Sequence, residues 1–176
     1  LKGELDYSTV GTGRMYQVLN TKGIKIVSYC SDITPNYSCC RMIARNSWVQ
    51  KNPTTVKLLN EALIRALSYF QKHKEETVEL MMNQLNAKKE YVEAYLLNEH
   101  YRINPDTLKN TVFDNYRYMM AVHGVENADP NVKLEDRVYN ELYKEALDEA
   151  QKKWGAEDPE FYENAQKFYQ EHNTNS

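Results

Sequence analysis

The stretch LDYSTVGTGRMYQVLNTKGIKIVSY, residues 5–29, decides the fold class that the sequence predicts. Residues 5–10 have the composition of a strand, and this strand ends at a Gly-Thr-Gly turn. A short helix can follow the turn, with Gly23 as its left-handed stop. Residues 24–29 are then a second strand, rich in β-branched side chains. Strand, short helix and strand at this spacing predict a parallel βαβ unit.

The rest of the chain is predicted to be helical. Residues 37–44 are a third extended candidate, and the helical pattern begins after residue 46. Asn52 and Pro53 predict a helix start, with a capping side chain followed by proline at the first helical position. One apolar stripe repeats at helical spacing along this helix. The stripe consists of Val56, Leu59, Leu63, Ala66, Leu67 and Phe70.

Two similar starts recur downstream, at Asn104-Pro105 and at Asp158-Pro159, and Gly155 is expected to stop the helix between them. The letters that these starts share are those that a capped helix start selects on its own. We therefore interpret them as convergent capping, with a solenoid repeat as the alternative.

The predicted sheet is incomplete. Two or three short strands do not make a stable sheet with both faces covered. We therefore expect the remaining strands to come from a preceding segment of the same polypeptide or from a partner copy, and the chain begins at Leu1 without an initiator methionine. The prediction is a piece of a larger, two-lobed α/β protein.

The charge and the histidine and cysteine content of the chain argue against several classes of function. A formal charge of −3 and a pI near 5.9 argue against a general nucleic-acid binder. The four histidines are scattered, and adjacent Cys39 and Cys40 lack the spacing of a zinc or redox motif. We predict no metal and no cofactor. Thiols are the simplest interpretation of the cysteines, and a bridge from Cys30 to either neighbour is the alternative.

Three ordered segments resemble one protein family. These are LKGELDY (residues 1–7), LNTKGIKIVSY (residues 19–29) and YSCCRMIARNSWVQKNPTTVKLLNEALIRALSYFQKHKEE (residues 37–76). They are similar to extracytoplasmic solute-binding proteins of ABC transporters, of the nitrate, taurine, aliphatic-sulfonate and thiamine-pyrimidine type. The resemblance covers about the first 90 residues and is weaker beyond them.

This resemblance implies a periplasmic-binding-protein-like fold of three αβα layers. Residues 1–40 would be part of the second lobe, and residues 41–176 the hinge strand and the helical part of the first lobe. The N-terminal half of the receptor would lie outside this chain. The implied function is capture of a sulfonate, nitrate, taurine or pyrimidine-like solute, by hinge closure, for delivery to an ABC permease. The implied location is extracytoplasmic, in the periplasm or as a lipoprotein at the outer face, and no enzyme activity is implied.

The candidate ligand residues fall in two groups. A turn at the end of a parallel strand is where α/β sheets bind ligands, and the amides before a helix can hold an anion. A tyrosine and an arginine at a hinge can hold a sulfonate or carboxylate. The candidates are Gly11, Thr12, Gly13 and Arg14 at the turn, and Tyr37, Ser38 and Arg41 at the hinge. A plain tight turn, and a surface ion pair of Arg41, are the alternatives.

Two other functions stay open. One is a helical protein-interaction module with the first 45 residues as a docking appendage. The other is a transferase or synthase on the same scaffold. No nucleophile motif or isolated pair of carboxylates favours the enzyme.

Overall fold

A computed structural model describes residues 3–126 and 129–174 of the 176-residue chain. Within these ranges the chain is helical, and no described residue lies in a β-strand. Leu1 and Lys2, which open the first segment of the family resemblance, lie outside the described residues. The α-helices are α1 (Thr12–Leu19), α2 (Cys30–Ile33), α3 (Asn46–Lys51), α4 (Pro53–Lys72), α5 (Lys74–Leu85), α6 (Lys89–Leu96), α7 (Lys109–Ala121), α8 (Asn140–Trp154) and α9 (Pro159–Asn173), and a 3₁₀ helix spans Leu134–Arg137.

The predicted α/β fold class is wrong. Of the expected βαβ unit only the helix is present, as α1, and the described parts of the three candidate strands are irregular. Most of their apolar side chains face solvent, with Tyr7 86% and Val27 79% exposed. Strand propensity reports how well a side chain fits a pleated, half-buried surface. No neighbouring strand in the described part of the chain provides such a surface, so the propensity has no effect.

The described residues form two units, each made of two chain segments. The first unit is drawn from Leu1–Pro35 and His73–Ile103 and holds α1, α2, α5 and α6. In this unit α1 and α5 both pack on α6. Its buried apolar side chains are Met15 of α1, Val78 of α5 and Val92 of α6. The boundary predicted at residue 40 stays a prediction.

The second unit, drawn from Asn36–Lys72 and Asn104–Ser176, contains the main core. Helix α8 packs on both α4 and α9, and α9 also packs on α7. Small residues of α8 allow this close packing, because Ala146 and Ala150 are both fully buried. The core consists of Ile64, Tyr143, Ala146, Leu147, Ala150, Phe161, Tyr162 and Tyr169.

Helix α4 turns a different face to the core than the apolar stripe predicts. Leu59 and Leu63 of the stripe are 43% and 38% exposed, whereas Ile64 is 1% exposed. Glu61 and Ser68 are buried on the inward side, where Glu61 pairs with Lys153 of α8. The polar partners on α8 and at the start of α9 therefore decide which face of α4 lies inward.

The helix starts follow the predictions in part. Helices α4 and α9 begin at Pro53 and Pro159, as predicted. The predicted side-chain caps differ, because Asp158 makes no capping hydrogen bond and the Asn52 side-chain amide donates to the carbonyl oxygen of Trp48 in α3. Asn104-Pro105 does not begin a helix, because the side chains of Asn104 and Asp106 each accept a hydrogen bond from the backbone amide two residues on. Leu108 then adopts a left-handed conformation with φ of 49°, and α7 begins only at Lys109.

Candidate functional site

An open depression lies in the first unit, beside the N-terminus of α1. Its volume is about 530 Å³, and its lining residues are Gly11, Gly13, Arg14, Gln17 and Tyr91. The first four come from the turn and the first two turns of α1. Tyr91 comes from the first turn of α6, which packs on α1.

The local sequence leaves the start of α1 uncapped. Gly11 occupies the N-cap position and has no side chain that could hydrogen-bond to the first-turn amides. In a helix these amides have no acceptor within the helix, and they carry the positive end of the helix dipole. The first turn of α1 also contains no acidic residue. The end of the helix that borders the depression is therefore electropositive.

The side chains around this helix end are held by local contacts. Arg14 Nη1 donates a hydrogen bond to Gln17 Oε1 at 3.1 Å, one turn further along α1. The ring of Tyr91 packs edge-on against Tyr16, with ring centroids 5.8 Å apart. A Cβ atom added at Gly13 would lie 3.8 Å from Tyr91 Oη. Glycine at this position therefore leaves the space between the helix end and the phenol open.

These groups suit a small anion. Arg14 offers a permanent positive charge and planar donors, Tyr91 offers a hydroxyl, and Gln17 offers an amide. None of the lining residues carries a carboxylate. The arrangement can hold a sulfonate, carboxylate or nitrate by hydrogen bonds, and it contains no nucleophile positioned beside a base.

The structure brings three of the seven predicted ligand residues together. Gly11, Gly13 and Arg14 line the depression, and Thr12, the first residue of α1, does not. Sequence reasoning missed Gln17, which the i, i+3 spacing from Arg14 could have indicated. It also missed Tyr91, for which the sequence gives no signal, because Tyr91 lies on another helix.

The other three predicted residues belong to the second unit. Tyr37 is half-exposed, and the side-chain oxygen of Ser38 is buried without a hydrogen-bond partner among the described residues. Arg41 Nη1 donates to the carbonyl oxygen of Cys40 at 2.7 Å. Burial raises the pKa of Asp106, and the charge of Arg41 is the smallest of the influences that oppose this rise. These three residues lie in an irregular segment and not in the predicted hinge strand.

The carboxyl group of Asp106, in the second unit, has a shifted pKa. Burial raises its pKa above that of an ordinary aspartate, although hydrogen bonds from Asn173 and Leu108 oppose this shift. Perturbed carboxyls often occur at functional sites, but structural networks also produce them. Both of these side-chain hydrogen bonds of Asp106 shape the turn before α7, so we assign Asp106 a structural role.

No cluster of three or more His, Cys, Asp or Glu side chains suited to a metal occurs in the described ranges. No helix in the described ranges has both the length and the apolar character to cross a membrane. Comparison of the chain with protein-family models, with curated proteins and with solved structures finds no match.

Proposed function

We propose that the chain binds a small anionic solute in the depression beside α1, as the substrate-binding component of an ABC importer. The observation that carries this proposal is the joint lining of the depression by Gly11, Gly13 and Arg14, which the sequence predicts as ligand residues, together with Tyr91. The electropositive start of α1 and the absence of carboxylates in the lining support an anion over a cation or a neutral sugar.

Each lining group has a role in this proposal. Arg14 supplies the charge, and a charge-assisted hydrogen bond contributes about 1.5–3 kcal/mol. Gly11 and Gly13 allow the anion to approach the backbone amides of the first turn. Tyr91 donates from the opposite side, and its ring gives the depression an apolar wall for the carbon part of an organic solute.

The transport role rests on the family resemblance of residues 1–7, 19–29 and 37–76. The absence of strands in the described residues removes lobe closure from the proposal, and binding is assigned to the first unit alone. An extracytoplasmic location and an ABC permease as partner belong to the same proposal.

A thermal-shift screen of the full chain tests solute binding. We expect nitrate, taurine or an alkanesulfonate to raise the melting temperature, and a neutral pyrimidine to have a smaller effect. A ligand present at 100 times its Kd stabilises the native state by about 2.7 kcal/mol. For a chain of this size this corresponds to roughly 5–10 °C. A screen in which no anion shifts the melting temperature contradicts the proposal.

A helical protein-interaction module is the second candidate, and the outer face of α4 favours it. All four charged residues of α4 contact groups on α8 or at the start of α9: Lys57 pairs with Glu145, Glu61 with Lys153 and Lys72 with Asp158, and Arg65 lies over the ring of Trp154. The exposed apolar side chains of α4 therefore form an uncharged face. This face consists of Leu58, Leu59, Ala62, Leu63, Ala66 and Tyr69.

One double variant distinguishes the two candidate functions, solute binding and protein interaction. Replacing both Leu59 and Leu63 by Lys places two charges on the α4 face and leaves the depression of the first unit untouched. Loss of association with an amphipathic partner helix, with solute binding retained, assigns the α4 face to an interaction. If the variant keeps both association and solute binding, the α4 face has no role in binding.

A further inference from the structure

The adjacent cysteines of the second unit have an unusual relative position. Neighbouring side chains of an extended chain point to opposite sides. Here Cys40 Sγ lies 3.6 Å from Cys39 Sγ, and both residues are exposed. The chain bends at this point, because the amide of Cys39 donates to the carbonyl oxygen of Tyr37 at 3.1 Å. The hydrogen bond from Arg41 to the Cys40 carbonyl holds the backbone on the other side of the pair.

Covalent geometry disfavours a disulfide between these two sulfurs. Cα atoms joined by a trans peptide are about 3.8 Å apart. Disulfide-bonded cysteines usually have Cα atoms about 4.4–6.8 Å apart. The described residues contain no cis peptide bond, so the Cα atoms of this pair stay at the shorter distance. An internal disulfide is therefore strained, and the pair is more stable as two thiols.

The same sulfur separation suits a single bound centre. Two thiolate sulfurs on one tetrahedral metal ion, with bonds of about 2.3 Å, are roughly 3.8 Å apart. The observed 3.6 Å is close to this value, so both sulfurs can reach one centre with little side-chain movement. A linear arrangement of the same bonds would separate the sulfurs by about 4.6 Å. The geometry therefore favours a bent S–X–S angle.

We propose that Cys39 and Cys40 form a two-sulfur site for a soft, thiophilic metalloid or metal centre that binds with a bent geometry, of which trivalent arsenic is the model. Thiolate ligands select soft centres. Structural zinc takes four protein ligands, and the described part of the chain offers no third His, Cys, Asp or Glu here. A centre that needs only two sulfurs fits better. This site is separate from the solute depression of the first unit.

Phenylarsine oxide is the probe for this site. Its reaction with a dithiol breaks two S–H bonds and forms two As–S bonds, and the arsenic-bound oxygen leaves with both protons as water. No atom changes its oxidation state, so no oxidant or reductant is needed. Binding through two linked sulfurs is favoured over binding through one, because the second bond forms within the same molecule.

The test is intact-mass spectrometry and thiol counting on the reduced full chain with one equivalent of phenylarsine oxide. We expect one phenylarsenic group per chain and the loss of two of the three titratable thiols. Cys30→Ser is the matched control and keeps the adduct. Cys39→Ser and Cys40→Ser each weaken binding on the order of 10²-fold, because chelation is lost.

Two results would overturn the proposal. One is an adduct that survives Cys39→Ser or Cys40→Ser with unchanged affinity. The other is an adduct that needs Cys30 or that joins two chains. Since all three cysteines are exposed, we expect each serine variant to keep the circular dichroism spectrum of the wild-type chain.

Discussion

The side-chain amide of Asn173 donates a hydrogen bond to Asp106 Oδ1 at 2.8 Å, and both residues are buried. The same amide nitrogen also donates to the carbonyl oxygen of Tyr169 at 3.1 Å. Asn173 Oδ1 accepts from Thr107 Oγ1 at 2.7 Å and from the amide of Lys109 at 2.9 Å. One asparagine at the end of α9 therefore holds the turn that precedes α7.

We predict that Asn173→Ala lowers the free energy of unfolding by about 2–3 kcal/mol, because its loss leaves buried polar groups without partners. Thr174→Ala is the control, since Thr174 is exposed and its hydroxyl donates to the carbonyl oxygen of Gln170 in the same helix. Urea unfolding measures both variants. Equal losses for Asn173→Ala and Thr174→Ala would show that the network does not stabilise the second unit.

Because Asp106 is buried, we predict that the stability of the folded chain depends on pH. Burial raises its pKa, so the folded state favours the neutral acid. The contribution of Asp106 to stability is therefore complete below the ordinary aspartate pKa and is lost as the pH rises through the raised value. Asp106→Asn keeps an acceptor oxygen and removes the ionisation. We expect the stability of this variant relative to wild type to improve as the pH rises from about 4 to 7. A difference that is constant with pH, or that changes in the opposite direction, contradicts this role.

Adjacent residues of α4 test which face of the helix lies inward. Ile64→Ala removes a core side chain, which costs about 2–5 kcal/mol. We expect Leu63→Ala to cost under about 1 kcal/mol, because Leu63 is partly exposed. The apolar stripe in the sequence predicts the opposite order. Thermal or urea unfolding of the two variants decides between these orientations.

The ion pairs of α8 differ in burial, and a matched lysine pair tests the difference. Lys153 pairs with Glu61, whose side chain is buried, whereas Lys152 pairs with the more exposed Glu149. We expect Lys153→Met to lower stability by about 1–3 kcal/mol, because it leaves a buried charge without its partner. We expect Lys152→Met to leave the unfolding midpoint unchanged. Similar midpoints for the two variants would mean that Glu61 is solvated in the folded chain.

The helices were largely predictable from local signals. Proline at the first helical position marks α4 and α9 because the missing N–H would have no acceptor there. The start of α7 was not predictable from Asn104-Pro105, since the side chains of Asn104 and Asp106 bond to the backbone in competition with a helix. The inward face of α4 depends on Lys153 and on other groups distant in sequence, which periodicity does not report.

The prediction of the fold class was wrong for a related reason. Residues 24–29 have strand composition, but a strand needs a neighbour to accept and donate its backbone hydrogen bonds. Composition does not say whether that neighbour exists. The candidate site was half predictable, because Gly11 and Arg14 follow from a turn that opens a helix. Tyr91 reaches the site only through the packing of α6 on α1.

Isothermal titration of wild type, Arg14→Gln and Arg102→Gln measures anion binding in the depression beside α1, with the nitrate, taurine or sulfonate salt that gives the largest shift in melting temperature. Arg102 is an exposed arginine of the same unit that does not line the depression. We expect one site per chain, a loss of about 10–100-fold in affinity for Arg14→Gln, and wild-type affinity for Arg102→Gln. Equal affinities for wild type and Arg14→Gln would show that the anion does not bind at Arg14.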